Sequence, residues 1–271
     1  MDAKEMLAKL DYFYEQGRLK EAEKLLDSSL EYAEENRNYS TMLTIYNEME
    51  GLYRTTGRAD KAADISDKAL SLIVQMGLGN TTHHATTLQN GATANRVAGN
   101  CEKALDMYCQ AAEIYKNLGM QTSYQMASLY NNISHIYQGE KQYDKALHYL
   151  NLALNTVSQI PDSESEIATT KVGLGMCLMS VKRMDEAKTQ LLEALDYYES
   201  PLGASDGHYG SALSAMGEYM WRQKDYADAI AYYEKALSVT LERFGENYGC
   251  KIIRSNLDKI KNEMENTFTK G

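Results

Sequence analysis

Three amide residues and two arginines recur at equal spacing and have the chemistry to bind a polypeptide. Asn47, Gln89 and Asn131 lie 42 residues apart, and Arg54 and Arg96 each follow an amide by seven residues. Amides both donate and accept hydrogen bonds, so a column of them suits the backbone of an extended peptide. Guanidinium groups bind carboxylates through paired N–H donors. The set predicts a peptide ligand, with an acidic group where the arginines lie.

Each group also has a structural interpretation, and both interpretations stay open at this point. Asn and Gln are ordinary neutral residues on an exposed helix, although helix-disfavoured Asn and Thr recur here at equivalent positions. The two arginines could instead pair with acidic neighbours such as Glu48 or Glu50.

Paired amphipathic helices are the elements that would position these side chains. In residues 213–239, apolar residues three and four apart occur on both sides of a short polar break, residues 223–225. This spacing places the apolar side chains on one face of each helix. A short polar connection makes the two helices antiparallel neighbours. The stretch therefore predicts a helical hairpin.

The hairpin pattern recurs along the chain with a period of 40 to 42 residues. An alanine opens the second helix of each unit, and a second small residue, serine in the first unit and alanine in the others, follows seven positions later. The opening alanines are Ala22, Ala62, Ala104, Ala146, Ala187 and Ala229. A fixed period of this length indicates stacked helical units.

These repeated residues resemble the tetratricopeptide repeat family. The family's Leu-Gly pair appears as Leu174-Gly175, and its first-helix aromatic appears as Phe13, Tyr53 and Tyr137. The period exceeds the usual 34 residues. A longer period with paired asparagines in the first helix, as at residues 131–132, is closer to the kinesin light chain type of repeat.

The resemblance implies an all-α fold, an α-solenoid of about six antiparallel helix hairpins with a C-terminal capping helix. We expect one domain over residues 1–271, with units at about 2–36, 41–77, 82–119, 123–160, 166–199 and 208–244. The cap is expected at about 248–268, with Ile253, Leu257, Ile260, Met264 and Phe268 as its apolar face.

First helices of successive units line the inner, concave surface in the family that this chain resembles. Steps of three, four and three along each first helix place the amides and arginines on that face, together with His135 and Trp221. We expect Trp221 to be an apolar anchor for a ligand. The lysine-based carboxylate clamp of chaperone-binding members is not matched, because Leu7 and Asp11 stand at two of its positions.

Composition and charge narrow the function classes. The net charge is −10 and no Lys- or Arg-rich run occurs, so we expect no binding to nucleic acid or membranes. The N-terminal residues read as an amphipathic helix rather than a signal peptide. Four cysteines without paired spacing are typical of reduced thiols, and the expected location is cytoplasmic.

Enzyme and metal motifs are not evident in the sequence. His83 and His84 are adjacent and diverge on a helix, and His135 has no nearby cysteine. We therefore predict no enzyme activity, no metal and no cofactor. The leading hypothesis is a protein- or peptide-binding scaffold that is a monomer or a weak homo-oligomer. The alternatives are a signal-peptide-sensing regulator and an oligomerising structural module.

Overall fold

Thirteen α-helices and no strand make up the part of the chain that the structure describes. The computed structural model describes the backbone of residues 3–268 and the side chains of residues 3–266. The helices are α1 (Ala3–Glu15), α2 (Leu19–Glu35), α3 (Tyr39–Thr55), α4 (Ala59–Gln75), α5 (Thr82–Val97), α6 (Cys101–Asn117), α7 (Tyr124–Gly139), α8 (Tyr143–Val157), α9 (Glu164–Ser180), α10 (Met184–Glu199), α11 (Tyr209–Arg222), α12 (Tyr226–Phe244) and α13 (Tyr248–Phe268). The predicted all-α repeat fold is confirmed.

Each odd-numbered helix from α1 to α11 packs against the next helix as a hairpin. In the hairpin of α3 and α4, the Gly57 N–H donates to the Arg54 carbonyl at 3.2 Å and the Arg58 N–H to the Tyr53 carbonyl at 2.8 Å. This capping arrangement needs a left-handed residue after the helix. Glycine fills that position in the first three hairpins and lysine in the last three: Gly17, Gly57, Gly99, Lys141, Lys182 and Lys224.

Small residues allow the two helices of a hairpin to approach closely. All six alanines that open the second helices are fully buried. Gly175 lies so close to α10 that a Cβ atom added to it would come within 2.6 Å of the Leu191 side chain. Side-chain volume at these positions therefore decides whether a hairpin can close.

The helices fall into two compact units that divide between Gln121 and Thr122. In the first unit, the first helices α3 and α5 of neighbouring hairpins contact each other; in the second, α9 contacts both α7 and α11. Each unit thus has an inner face built by its own first helices. The expectation of a single domain over residues 1–271 stays a prediction.

Helix α13 packs on α12 as the predicted cap. Ile253, Leu257 and Ile260 are buried, whereas Lys251 and Lys259 are exposed. The helix therefore shields the apolar surface of the last hairpin. Burying a side chain such as leucine stabilises the folded state by about 1.5–3 kcal/mol. The predicted apolar residue Phe268 lies outside the residues whose side chains are described.

Candidate functional site

Arg54 and Arg96 lie on the contacting helices α3 and α5 of the first unit. Both side chains are half-buried, and the Nε atom of each is buried without a hydrogen-bond partner. Within residues 3–266 neither guanidinium forms an ion pair with a carboxylate at 4.0 Å or less. Internal pairing with Glu48 or Glu50 is therefore not the arrangement in this structure.

Tyr108 on α6 connects the two arginines. Its ring is fully buried, and its hydroxyl lies 2.8 Å from the Thr93 hydroxyl on α5. Burial raises the pKa of Tyr108, while hydrogen bonds with Thr93 and Arg96 and the charge of Arg54 lower it in part. Both guanidinium groups therefore lie within electrostatic reach of one phenol.

The amides of the first unit lie on the same two helices as the arginines. Asn47 on α3 is half-buried, and its Oδ1 atom is buried without a partner. Gln89 on α5 accepts a hydrogen bond from the Tyr115 hydroxyl at 3.2 Å. That hydroxyl also lies 3.2 Å from the Thr86 hydroxyl. The structure thus brings Asn47, Arg54, Gln89 and Arg96 to one inner face.

Carboxyl groups from α1 and α3 lie close to one another in the same unit. Burial and the charge of Asp11 on α1 raise the pKa of Glu48 on α3. Burial, with the charges of Glu48 and Asp11, also raises the pKa of Tyr14. The first unit therefore has an acidic part at α1 and α3 and a basic part at α3 and α5.

Asn131 and His135 lie on α7 of the second unit. The Asn131 Nδ2 atom donates a hydrogen bond to the Thr170 hydroxyl on α9 at 2.9 Å, and its Oδ1 atom is buried without a partner. The His135 side chain is exposed. Asn131 thus ties two first helices together, which gives this amide a structural contact in addition to any role with a ligand.

Trp221, the only tryptophan of the chain, lies at the end of α11 against α13. Its indole N–H donates a hydrogen bond to Glu263 at 2.7 Å, and the Lys259 ammonium lies 4.2 Å from the ring centroid. Two side chains of the capping helix therefore cover the predicted anchor. Its role as a ligand anchor stays a prediction.

Second-helix tyrosines are functional candidates that the sequence reasoning missed. Tyr108, Tyr115, Tyr198 and Tyr233 are buried, and their hydroxyls reach polar side chains on the first helix of the same hairpin. A signal was present, because these tyrosines stand four or eleven residues after a repeat alanine and so share one face of the second helix.

Comparison with known proteins supports the repeat assignment. Models described as tetratricopeptide repeat match residues 166–242 and 127–156. Residues 127–156 and 166–242 therefore carry tetratricopeptide repeats. A curated relative, the Arabidopsis thaliana protein KINESIN LIGHT CHAIN-RELATED 1, is 24% identical over 228 residues, covering 82% of this chain. The chain spans 37% of the length of that relative.

Solved structures with a similar fold include BtubC (BKLC) from P. vanneervenii. That structure is 25% identical with a TM-score of 0.63, covering 71% of this chain and 78% of the other. NprR in complex with its cognate peptide NprX is 15% identical with a TM-score of 0.72, covering 98% of this chain and 73% of the other. The likeness to NprR concerns the fold alone.

The described residues hold neither a cluster of metal-ligating side chains nor a membrane-spanning helix. Among residues 3–266 no group of three or more His, Cys, Asp or Glu side chains is placed to hold a metal ion. None of the helices described has both the length and the apolar character that crossing a membrane requires.

Proposed function

We propose that this chain is a non-catalytic scaffold that binds a peptide or protein segment along the inner faces of its first helices. The observation that carries the proposal is the pair Arg54 and Arg96, which lie together without an ion-pair partner among the described residues. The chain has 38 acidic against 28 basic residues, so carboxylates are in surplus. An anionic group of a ligand is the partner that this pair lacks.

Amides on the same face supply hydrogen bonds for the ligand backbone. Leaving the buried Asn47 Oδ1 atom without a hydrogen bond costs about 1–3 kcal/mol. Rotation of the side chain would turn that oxygen outward to accept from a peptide N–H. Gln89 is held from beneath by Tyr115, which limits its rotamers before binding. A side chain that is already ordered loses less entropy when a ligand binds.

The second unit offers a separate inner face with Asn131, His135 and Trp221. The peptide class of ligand is supported by the fold likeness to NprR, whose structure was solved with its cognate peptide. For this chain, a peptide ligand is proposed because of its own arginines and amides. We assign Asn131, His135 and Trp221 a secondary role in binding it.

A peptide array tests the proposed function. The array carries N-acetylated nonapeptides with one Glu at each position, and a matched set with Gln in its place. Wild type is expected to prefer the Glu peptides, and the double variant Arg54→Met/Arg96→Met is expected to lose at least tenfold in affinity for them, about 1.4 kcal/mol. Binding is measured by fluorescence anisotropy on the strongest array hits.

Lys68→Met/Lys116→Met is the matched control, because it removes two positive charges from exposed positions on the second helices α4 and α6 of the same unit. Equal weakening by both double variants would show that net charge, not the inner face, attracts the peptides. Asn47→Ala and Asn131→Ala, made as separate variants, then show which of the two units binds the backbone of the peptide ligand. If both single variants keep full affinity for every ligand found, the amide assignment is wrong.

An oligomerising structural module is a second candidate, favoured by exposed apolar residues at the end of the chain. Tyr248 and Ile252 lie one turn apart on α13, and Phe244 ends α12. About half of each side chain is exposed. Such a patch is suited to contact with a second copy of the chain.

A further inference from the structure

Glu50 is the one charged side chain that is buried among residues 3–266. The residue is 1% exposed, and neither carboxyl oxygen has a hydrogen-bond partner. A buried charge normally requires a partner or neutralisation, because transfer from water to the protein interior is costly. The position of Glu50 on α3, one helical turn before Arg54, links this unusual group to the proposed site.

The repeat register explains how the first unit accommodates Glu50. At the equivalent position of later hairpins, a Cβ added to Gly175 would contact Leu191, and one added to Gly217 would contact the Tyr233 ring. These pairs join a small residue on the first helix to a large residue on the second. The same register places Glu50 opposite Ser66, so the sizes are reversed. Ser66 is fully buried and its hydroxyl has no partner.

Burial keeps Glu50 neutral at pH 7. Loss of solvation raises the pKa of Glu50 to about 8, and the positive charge of Arg54 opposes this effect only in part. A carboxyl with a pKa near 8 is mostly protonated at neutral pH. Arg54 therefore keeps its positive charge uncompensated, although a carboxyl group lies one turn away.

The other helices packed against α3 place few ionisable groups near Glu50. Helix α4 contributes Ser66, which does not titrate in this range, and Arg96 on α5 acts on Tyr108 rather than on Glu50. Tyr108 on α6 senses Arg54 and Arg96. On α2, the charges of Glu23 and Asp27 act on Tyr53 instead. Arg54 is thus the charged group that is available to pair with an ionised Glu50.

We propose that Glu50 is a positioning residue that controls whether the arginine pair can hold an acidic ligand. As a neutral carboxyl it leaves Arg54 and Arg96 free to bind a carboxylate side chain of a peptide. As a carboxylate it takes Arg54 from the ligand. The inference rests on the proposed function, since it names the ligand class and the regulation of the same inner face.

The first experiment measures Glu50 itself, without any ligand. Side-chain carboxyl carbons of glutamate are observed by NMR in protein labelled with ¹³C-glutamate, and the Glu50 signal is assigned by its absence in Glu50→Gln. The signal is expected to stay at its protonated position at pH 7 and to titrate with a midpoint near pH 8. An ionised Glu50 at pH 7 would overturn the inference whatever the peptides do.

The second experiment compares affinities for single-Glu N-acetylated nonapeptides at pH 7 and pH 9. Raising the pH converts Glu50 from mostly protonated to mostly ionised, so wild-type affinity is expected to fall about tenfold. Glu50→Gln cannot ionise and is expected to bind as tightly at pH 9 as at pH 7. The matched Gln nonapeptides should show no such difference between the two pH values.

The outcomes separate the inference from the proposed function. Peptides that bind wild type equally at both pH values overturn the role of Glu50 and leave the peptide-binding function standing. A tenfold fall that persists in Glu50→Gln assigns the pH dependence to another group and also overturns it. If neither protein binds any peptide at either pH, the proposed function fails, and the role of Glu50 fails with it.

Discussion

At the scale of single residues, the buried tyrosines hold polar side chains of the inner faces in place. The Tyr108 and Tyr115 rings pack between the helices of one hairpin, and their hydroxyls end against Thr93 and Gln89. A phenol is suited to this position because its ring is apolar and its oxygen is a hydrogen-bonding group. Side chains held in this way can meet a ligand with little loss of freedom.

Replacing Glu50 is expected to stabilise the protein in a pH-dependent way. The folded-state pKa of about 8 lies above 4.5, the ordinary value of a glutamate carboxyl in the unfolded chain. The stability that this group contributes is therefore complete below pH 4.5 and is lost as pH rises towards 8. Glu50→Gln should raise the free energy of unfolding by roughly 4 kcal/mol at pH 8 and leave it unchanged near pH 4.

Urea unfolding followed by circular dichroism at pH 4 to 8 checks this prediction. Glu113→Gln is the control, because it makes the same change at an exposed position on α6 of the same unit. A pH-independent effect of Glu50→Gln, or an equal effect of both variants, would contradict a neutral buried carboxyl.

At the scale of elements, two first-helix glycines should respond in opposite ways to alanine. Gly175→Ala places a methyl group 2.6 Å from Leu191 and 3.3 Å from the Ala187 carbonyl oxygen. Overpacking of this kind costs about 1–3 kcal/mol. At Gly51 a Cβ meets nothing within 4 Å, so Gly51→Ala should stabilise α3 by about 0.5–1 kcal/mol through helix propensity.

Thermal unfolding of the two variants beside wild type provides the measurement. The pair is matched, since both changes are Gly to Ala inside a first helix, in α9 and α3. A stabilising effect at Gly175 would mean that the two helices of its hairpin separate more readily than their close contact indicates.

The capping helix is the second feature at the scale of elements. Its polar side contributes Glu263 and Lys259 to Trp221, while Leu257 and Ile260 face the core. One helix thus completes the apolar core of the last hairpin and covers the indole ring. A ligand that used Trp221 as an anchor would have to displace these two side chains.

At the scale of the whole molecule, the charge of −10 restricts the partner. The negative surface repels a polyanion once the two approach to within the Debye length of about 8 Å, beyond which salt screens the interaction. The arginine pair acts at shorter range and suits a single carboxylate in an otherwise neutral peptide. The excess of negative charge is the reason for the prediction that nucleic acid is not a partner.

Multi-angle light scattering over a range of concentrations tests the oligomeric state. We expect a constant mass near 30.5 kDa, the mass of one chain. A mass that rises with concentration and returns to that value in Ile252→Asp would favour the oligomerising module. Asp258→Asn, at another exposed position of α13, is the control for an effect of any surface change.

Local patterns were sufficient to predict the helices and their turns. The left-handed caps at Gly57, Gly99 and Lys182 each lie five residues before a repeat alanine, so the alanines marked where the hairpin connections fall. The repeat alanines likewise marked the buried faces of the second helices. Helical periodicity also predicts that Arg54 and Arg96 share the inner face, and that assignment stays a prediction.

The sequence alone determined the period and the hairpins, since these depend on neighbours within a few turns. Only the tertiary structure decided which polar groups have partners: that Tyr108 lies within electrostatic reach of Arg54 and Arg96, that α13 covers Trp221, and that Glu50 is buried. The physical reason is that desolvation and hydrogen bonding depend on atoms from distant parts of the chain, which a repeat pattern does not specify.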